Sequence, residues 1–245
     1  METLSESPGT IALPTSEVGR FALFTVSLCG TKQPDGCYLD ASCSASVTEN
    51  LNGILRRLRD EDQWVWIMGD DHVWQSDTLL RLLETMDENP EIDVLVPLCV
   101  KRNPPWHLVL FDEVGEVDED GHPLFRPIGW ERVPESGVFE VDAAGSAGML
   151  LRRHVIDEMK DPWFYSTMDN EGRQVVLNED VTFCTRARHH GYRIFATSDV
   201  AIGHLGIFNV RPMFHEGRWG ALTEFSTMEE RFRHMFMPVE EPVGV

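Results

Sequence analysis

Short apolar runs alternate with amphipathic segments through the first hundred residues, and this alternation constrains the fold more than any other feature. The apolar runs 21–28, 64–68 and 92–98 each have the length and composition of a core strand. Apolar residues recur at helical spacing over 47–60, and a second helical pattern follows Ser76, a residue type that caps helices. Such alternation predicts an α/β fold with a mostly parallel sheet flanked by helices.

The second half of the chain continues with mixed elements. The stretch LVLFDEVGEVDEDGHPLF predicts a hairpin, and GMLLR, within 139–152, predicts another strand. A helix is expected over 179–190, ended by Gly191, and a last strand over 193–201. We find no internal repeat.

The length and composition predict one domain. With 245 residues and 42% hydrophobic content, the chain can bury about 70–75% of the surface that its unfolded form would expose. Residues 1–18 are polar and weakly patterned, so we expect a flexible N-terminal extension and not a signal peptide. No apolar run approaches the roughly 20 residues of a membrane span, and we therefore expect a soluble, cytoplasmic protein without stable membrane association.

The charge restricts the partners. Asp and Glu outnumber Lys and Arg by 41 to 21, for a net charge of −20, which disfavours tight sequence-independent binding of nucleic acid. The five cysteines are odd in number and include no CxxC pair, so free thiols in a reducing compartment are expected. A soft-metal site formed by Cys29, Cys37 and Cys43 is the weaker alternative.

The second apolar run leads directly into Gly69, Asp70, Asp71 and His72. If the strand continues, its alternation places Asp70 and His72 on one side and Asp71 on the other. Ligands of open α/β sheets bind beyond the carboxyl ends of strands, and a carboxylate with an imidazole suits a borderline ion such as Mn²⁺. The run predicts either a metal site that needs a further ligand or a polar turn before the next helix.

Two later segments could complete such a site. Glu179 and Asp180 are the first residues of the helix over 179–190. Either both are ordinary charges at a helix N-terminus, or one of them is a general base. Asn178 or Glu179 is the expected N-cap. His204, in IGHLG, directly follows a strand-like run, and its flanking glycines allow a close backbone approach.

Six stretches, in order, resemble the GT-A-fold glycosyltransferases, particularly compact enzymes of bacteriophages and their bacterial hosts. They are WVWIMGDDHVWQSDTLLRLL, DVLVPLCVKRNPPW, EVDAAGSAGMLLRRHV, PWF, NEDVTFCTRARHHGYRIF and IGHLG. The resemblance implies a GT-A domain over 19–206, followed by a C-terminal lid and tail over 207–245. It also implies sugar transfer from a nucleoside-diphosphate donor to an acceptor hydroxyl, with Mn²⁺ or Mg²⁺ as cofactor.

The resemblance also implies roles for individual residues. The family's metal-binding DxD motif becomes Asp70-x-His72, a DxH variant known from the polypeptide N-acetylgalactosaminyltransferase branch. Whether Asp70 or Asp71 is the direct ligand stays open, and His204 corresponds to the family's downstream histidine ligand.

The family's acid pair corresponds to Glu179 and Asp180, and Asp180 is the expected catalytic base of an inverting enzyme. Gly145 in GSAG would bring backbone close to the donor sugar. As acceptor, the resemblance suggests a hydroxymethylated base in phage DNA or a glycan.

The remaining donor and acceptor residues are placed by the same resemblance. Thr25 and Ser27 would cradle the nucleotide base, and Lys101 and Arg102 would neutralise phosphate, with an ordinary surface role as the alternative. Arg218 and Trp219 would belong to a lid over 207–222 that covers the diphosphate. Trp106 and Trp163 would stack on the faces of the sugar or the acceptor, with core packing the alternative for Trp163.

Other functions fit the pattern less well. A nucleotidyltransferase normally has a Gly-rich, basic loop after the first strand, whereas CGTKQPDGC has one lysine and scattered glycines. A non-catalytic nucleotide-sugar-binding module would keep the fold without turnover. A metallohydrolase using Asp70, His72 and His204 lacks the HExxH helix signature.

Overall fold

A computed structural model describes residues 3–15, 21–44, 46–102, 106–206, 209–215, 218–225 and 233–238. The last three ranges are described for their backbone only. The strands are β1 (Thr10–Thr15), β2 (Tyr38–Cys43), β3 (Trp64–Ile67), β4 (His72–Val73), β5 (Val94–Leu98), β6 (Leu110–Val117), β7 (Pro123–Pro127), β8 (Val138–Glu140), β9 (Ala143–Ala144), β10 (Leu150–Arg152), β11 (Thr167–Met168), β12 (Val175–Leu177), β13 (Ile194–Ala201), β14 (Gly203–His204), β15 (Asn209–His215), β16 (Arg218–Phe225) and β17 (Arg233–Pro238). The α-helices are α1 (Ala22–Gly30), α2 (Val47–Leu55), α3 (Thr78–Glu88), α4 (Arg153–Glu158) and α5 (Glu179–His189), and short 3₁₀ turns cover Leu4–Glu6 and Trp130–Arg132.

The main sheet has seven strands in the order β2-β1-β3-β10-β5-β13-β8. Five of them run parallel to one another, while β10 and β8 run in the opposite direction. The chain passes from β1 through α1 to β2 on one side, and then through α2 to β3 on the other side of β1. The strand order therefore reverses at β1, and a crevice is expected beyond the carboxyl ends of β1 and β3.

Helices cover both faces of the sheet. The apolar run of β3 shows why, since Trp64 and Trp66 face one helical layer while Val65 and Ile67 face the other, and all four are buried. One layer contains α2, α4 and α5, and the other contains α3 with part of α1. A strand buried on both faces reads as a continuous apolar run, as this one does. The predicted α/β class, with a mostly parallel sheet flanked by helices, is confirmed.

The first strand differs from the sequence prediction. The core strand is Thr10–Thr15, within the segment expected to be a flexible extension over 1–18, and it pairs with both β2 and β3. The apolar run 21–28 lies instead in helix α1. Proline normally argues against a central strand, but Pro14 lies beyond the part of β1 that pairs with β3, where its missing N–H removes no bond of that ladder.

Other predictions hold with shifted ends. Helix α2 ends earlier than expected, at Leu55, and Asp77 rather than Ser76 occupies the N-cap position of α3. The hairpin is confirmed as β6 and β7, and the last strand of the main sheet as β13. Gly191 has φ +90°, as a left-handed C-cap requires.

The C-terminal strands β15, β16 and β17 form an antiparallel sheet of their own. The expected lid over 207–222 includes β15 and the start of β16, and its closing role stays a prediction. None of the described helices is both long enough and apolar enough to cross a membrane.

Candidate functional site

Two histidines that lie far apart in the sequence meet at the carboxyl edge of the sheet. Strand β4 pairs with β14 so that His72 lies directly opposite His204, and the two rings stack with centroids 4.4 Å apart. Gly203 permits this pairing, because a Cβ atom there would lie 2.7 Å from Cγ2 of Val73. The predicted convergence of His72 and His204 is therefore present in the structure.

Asp71 is the carboxylate that joins the pair. Its Oδ2 lies 3.3 Å from Nε2 of His204, and its Oδ1 lies 2.9 Å from Nδ1 of His72. The expected alternation is wrong here, because β3 ends at Ile67 and residues 70 and 71 form a turn, which frees Asp71 to reach the histidine side. Burial favours the neutral form of Asp71, but the contacts from His204 and His72 outweigh it and hold the pKa of Asp71 well below its usual range.

His72 has an unusual environment for a buried polar side chain. The residue is only 6% exposed, yet neither ring nitrogen has a hydrogen-bond partner among the described residues. The approach of Asp71 to Nδ1 is close in distance but lacks hydrogen-bonding geometry. A buried polar group without a partner is rare in proteins, so these nitrogens are available to a ligand.

His204 is held in a fixed orientation. Its Nδ1 donates a hydrogen bond to the carbonyl oxygen of Val100 at 3.0 Å, since a carbonyl can only accept. Nε2, which lies 3.3 Å from Oδ2 of Asp71, is then the ring nitrogen that remains to bind a metal ion. A backbone carbonyl behind a metal-ligating imidazole is the usual means of fixing its tautomer.

Cys99 adds a sulfur to the same cluster. One donor atom from each of His72, Cys99 and His204 lies within 4.8 Å of the others, and within the described part of the chain this is the one group of three such donors. Cys29 and Cys43 are exposed and Cys37 is half-buried, so the soft-metal alternative built on those three is not seen. Cys99 was not among the predicted site residues, although it directly follows the carboxyl end of β5, where ligands of such sheets bind.

A crevice of about 330 Å³ adjoins the histidines. Its lining includes Asp71 and His72 together with Thr15, Asn50, Arg102 and Ser146. Asp70 also faces it and accepts a hydrogen bond of 2.9 Å from the hydroxyl of Thr15, at the end of β1. The crevice therefore occupies the point where the strand order reverses.

Asp180 reaches this region through the GSAG loop. It lies in the first turn of α5, after Asn178, whose side chain caps the helix by accepting from the Val181 amide. Burial, reinforced by the charge of Glu179, raises the pKa of Asp180 to about 6, and contacts from Ser146 oppose the shift. Its Oδ1 is buried without a hydrogen-bond partner among the described residues.

Gly145 leaves room between the loop and Asp180. An ideal Cβ on Gly145 would lie 3.8 Å from Oδ2 of Asp180 and 3.3 Å from Cβ of Val109. Ser146 both contacts Asp180 and lines the crevice. The GSAG loop is thus the link between the carboxylate and the crevice.

Of the remaining residues predicted to bind the donor, some lie at the site and others do not. Arg102 donates to Oδ2 of Asp71 at 3.3 Å, whereas the Lys101 side chain is exposed. Thr25 and Ser27 lie on helix α1 and not at a strand end, and the Ser27 hydroxyl accepts a hydrogen bond from the Trp74 amide. The strand geometry that suggested their role is absent, and Thr15 lies at the corresponding strand end.

The two acceptor-side tryptophans differ. Trp106 is 49% exposed, so its ring remains available for stacking. Trp163 is 9% exposed and packs in the core, with its indole N–H donating to the carbonyl oxygens of Ile156 and Met159. This burial fits the core-packing alternative for Trp163, and its stacking role stays a prediction. Arg218 and Trp219 begin β16, opposite His215 and Phe214, and their side chains lie outside the described part of the structure.

The cluster has the donors that a divalent ion requires. Two imidazoles and a carboxylate suit a borderline ion such as Mn²⁺, and one ring nitrogen of His72 and one of His204 lie within 4.8 Å of each other. The residues present therefore fit a metal ion.

Comparison with known proteins supports the fold. No protein-family model and no curated protein matches the sequence. The crystal structure of A197 from STIV is similar, with a TM-score of 0.53, 12% identity and 97% of each chain covered. The crystal structure of GalNAc-T7 with UDP, GalNAc and Mn²⁺ is also similar, with a TM-score of 0.53 and 8% identity. That match covers 86% of this chain but only 45% of the other. At these identities the likeness establishes the architecture alone, and the chain has a GT-A-like α/β fold.

Proposed function

We propose that this protein is a metal-dependent glycosyltransferase that moves a sugar from a nucleoside-diphosphate donor to an acceptor hydroxyl. The observation that carries the proposal is the convergence of Asp71, His72 and His204 beside a crevice at the strand-order reversal. A similar fold holds UDP, GalNAc and Mn²⁺ in the GalNAc-T7 structure.

The crevice would bind the nucleoside of the donor, and the cluster of Asp71, His72 and His204 would bind its diphosphate. The crevice has the size of a small-ligand site, and the part of its lining at Thr15 and Asn50 would take the nucleoside. The diphosphate would then lie near the histidines and Arg102, whose guanidinium can turn from Asp71 to a phosphate oxygen. A bound divalent ion would supply Lewis-acid stabilisation of the charge that develops on the leaving diphosphate.

Asp180 is the proposed general base. In its ionised form it can accept the proton of the acceptor hydroxyl, which is worth about 10²–10⁴ in rate. A pKa near 6 leaves most of the carboxylate ionised at neutral pH while keeping it a competent proton acceptor. Direct attack assisted by Asp180 predicts inversion at the sugar, and the acceptor is a modified DNA base or a glycan.

A donor screen tests the proposal. Purified protein is incubated with Mn²⁺ and a panel of labelled nucleotide sugars, and release of nucleoside diphosphate is followed by chromatography. We expect cleavage of at least one donor, and a loss of about 10²–10³-fold in His204→Ala and Asp71→Asn, as for removal of an electrostatic contact to the leaving group.

The control and the contrary outcomes are distinct. His122→Ala changes a histidine in the β6–β7 turn that contacts Asp118 and should keep full activity. Binding of a donor without turnover with any acceptor would favour a non-catalytic module. Release of pyrophosphate from a nucleoside triphosphate would favour a nucleotidyltransferase.

A further inference from the structure

We propose that Cys99 is a direct ligand of the metal and makes the site selective for thiophilic ions such as Co²⁺ and Zn²⁺ over Mg²⁺. The inference rests on the metal centre of the proposed function, but not on sugar transfer itself. It changes the expected cofactor, since Mg²⁺ seldom takes sulfur ligands.

The position of Cys99 is set by the same segment that orients His204. Cys99 directly follows β5, and the next residue, Val100, accepts the hydrogen bond from Nδ1 of His204. The backbone that fixes one imidazole therefore also fixes the thiol beside it. Cys99 is 2% exposed, and its thiol donates to the carbonyl oxygen of Val100 at 3.6 Å, the same oxygen that His204 contacts.

The three donor atoms are close enough to share one ion if the site contracts on binding. They lie within 4.8 Å of one another. Three donors around one ion lie at most about 120° apart, which separates a thiolate about 2.3 Å and an imidazole about 2.1 Å from the ion by about 3.8 Å. Binding must therefore draw the donors together by up to about 1 Å, which falls on the short two-residue strands β4 and β14 and on the chain after β5.

The independent evidence for a ligand is His72. Its ring is 94% buried, both nitrogens lack hydrogen-bond partners among the described residues, and the ring lies against the His204 ring within reach of Cys99. An apolar role for this imidazole would leave its nitrogens desolvated without compensation. An ion bound by His72, His204 and Cys99 satisfies one of the two nitrogens, and Nδ1 lies 2.9 Å from Oδ1 of Asp71.

Cys99 has no better use as a free thiol. Its sulfur is buried away from solvent, and buried thiols of this kind are poor nucleophiles. When the sulfur–metal bond forms, the S–H bond breaks and the proton passes to solvent, as for other thiolate sites. Asp71 remains beside the two imidazoles and can serve as a fourth ligand or yield that position to a phosphate oxygen.

Titration with Co²⁺ tests the inference by a readout other than activity. The reduced, metal-free protein should develop a near-ultraviolet thiolate-to-cobalt charge-transfer band that saturates at one ion per chain. Cys99→Ser should lose this band and weaken Co²⁺ binding at least about tenfold, since the loss of an outer-shell partner alone costs about 10–100-fold. A large excess of Mg²⁺ should not displace the cobalt.

Cys184→Ser is the matched control. Cys184 is also fully buried, and its thiol contacts the Ala144 backbone away from the histidines, so the band should persist. Cobalt binding without the band, or a band unchanged in Cys99→Ser, would overturn the inference and leave sugar transfer open. A normal band in a protein that cleaves no donor would instead count against the proposed function.

Discussion

The imidazole of His72 lies in the interior with both nitrogens unsatisfied. An unpaired buried polar group costs about 1–3 kcal/mol. Since an ion would remove this cost, metal binding should stabilise the fold, and the site should be sensitive to small changes in the position of the ring.

Gly69 tests that sensitivity. A Cβ atom at this position would lie 2.9 Å from Nδ1 of His72, closer than real Cβ atoms approach. We expect Gly69→Ala to displace the ring and to weaken Mn²⁺ binding about tenfold or more, measured by calorimetry. Gly30→Ala, where no atom lies within 4 Å of the added Cβ, should bind Mn²⁺ like the unaltered protein. Equal affinities for the two variants would argue against His72 as a ligand.

Asp180 should contribute a pH-dependent term to stability. Its pKa is raised to about 6 in the folded protein, against about 3.9 for an unfolded aspartate. The folded state therefore binds the proton more tightly, and stability falls as the pH rises from about 4 to about 6. The free energy of unfolding of Asp180→Asn should be about 1–3 kcal/mol higher than that of the unaltered protein at pH 7.5. The difference should disappear below pH 4.

Thermal unfolding across this pH range measures the difference. Glu179→Gln, on the same helical turn, is the control and should show a smaller dependence on pH. A constant difference between Asp180→Asn and the unaltered protein at all pH values would contradict the burial of an ionisable carboxylate.

At the residue scale the sequence indicated the histidine pair but not the whole cluster. His72 and His204 could be singled out because both follow strand-like runs. The role of Asp71 depended on where β3 ends, and side-chain alternation gave the wrong side once the chain turned at Asp70. The spacing of the cysteines does not indicate Cys99, because it belongs to no CxxC pair. The signal for this residue is its position directly after the end of β5.

At the scale of elements, the first core strand is β1 at Thr10–Thr15, whereas the sequence predicted it over 21–28, which lies in helix α1. Ile11 in β1 is 1% exposed and packs with the tryptophans of β3, whereas Val26 in α1 is 68% exposed. We expect Ile11→Ala to lower the free energy of unfolding by about 2–5 kcal/mol and Val26→Ala to change it by less than about 0.5 kcal/mol. Denaturant unfolding of the two variants measures both values, and the reverse order would restore 21–28 as the core strand.

The misassignment has a local cause. TIALPT is short, contains a proline and lies in a polar segment, whereas FALFTVSL has strong β-forming residues. β1 is a strand because it pairs with β2 on one side and β3 on the other. These partners lie far along the chain, so the six residues of β1 alone do not reveal the pairing. The run 64–68 was assigned correctly because burial on both faces leaves a continuous apolar signature that needs no knowledge of its neighbours.

At the scale of the whole molecule, the crevice at the reversal of strand order at β1 adjoins the cluster of Asp71, His72 and His204. The α/β class followed from the alternation of patterns, but the antiparallel insertion of β10 between β3 and β5 did not, because a three-residue strand carries little periodicity.

Nucleotide binding should therefore depend on the ion. A nucleoside diphosphate present at 100 times its Kd stabilises the folded state by about 2.7 kcal/mol, which raises the Tm by about 5–10 °C in a chain of this size. We expect this shift with UDP or another nucleoside diphosphate only when Mn²⁺ or Co²⁺ is present, measured by thermal unfolding. The same shift in His204→Ala would separate nucleotide binding from the metal.

The most direct measurement is a crystal structure of the protein loaded with Mn²⁺, with anomalous scattering recorded at the manganese edge. The account predicts one strong anomalous peak beside the crevice, about 2.0–2.3 Å from a ring nitrogen of both His72 and His204. A saturated crystal with no peak between those rings, or with the ion bound elsewhere, would contradict it.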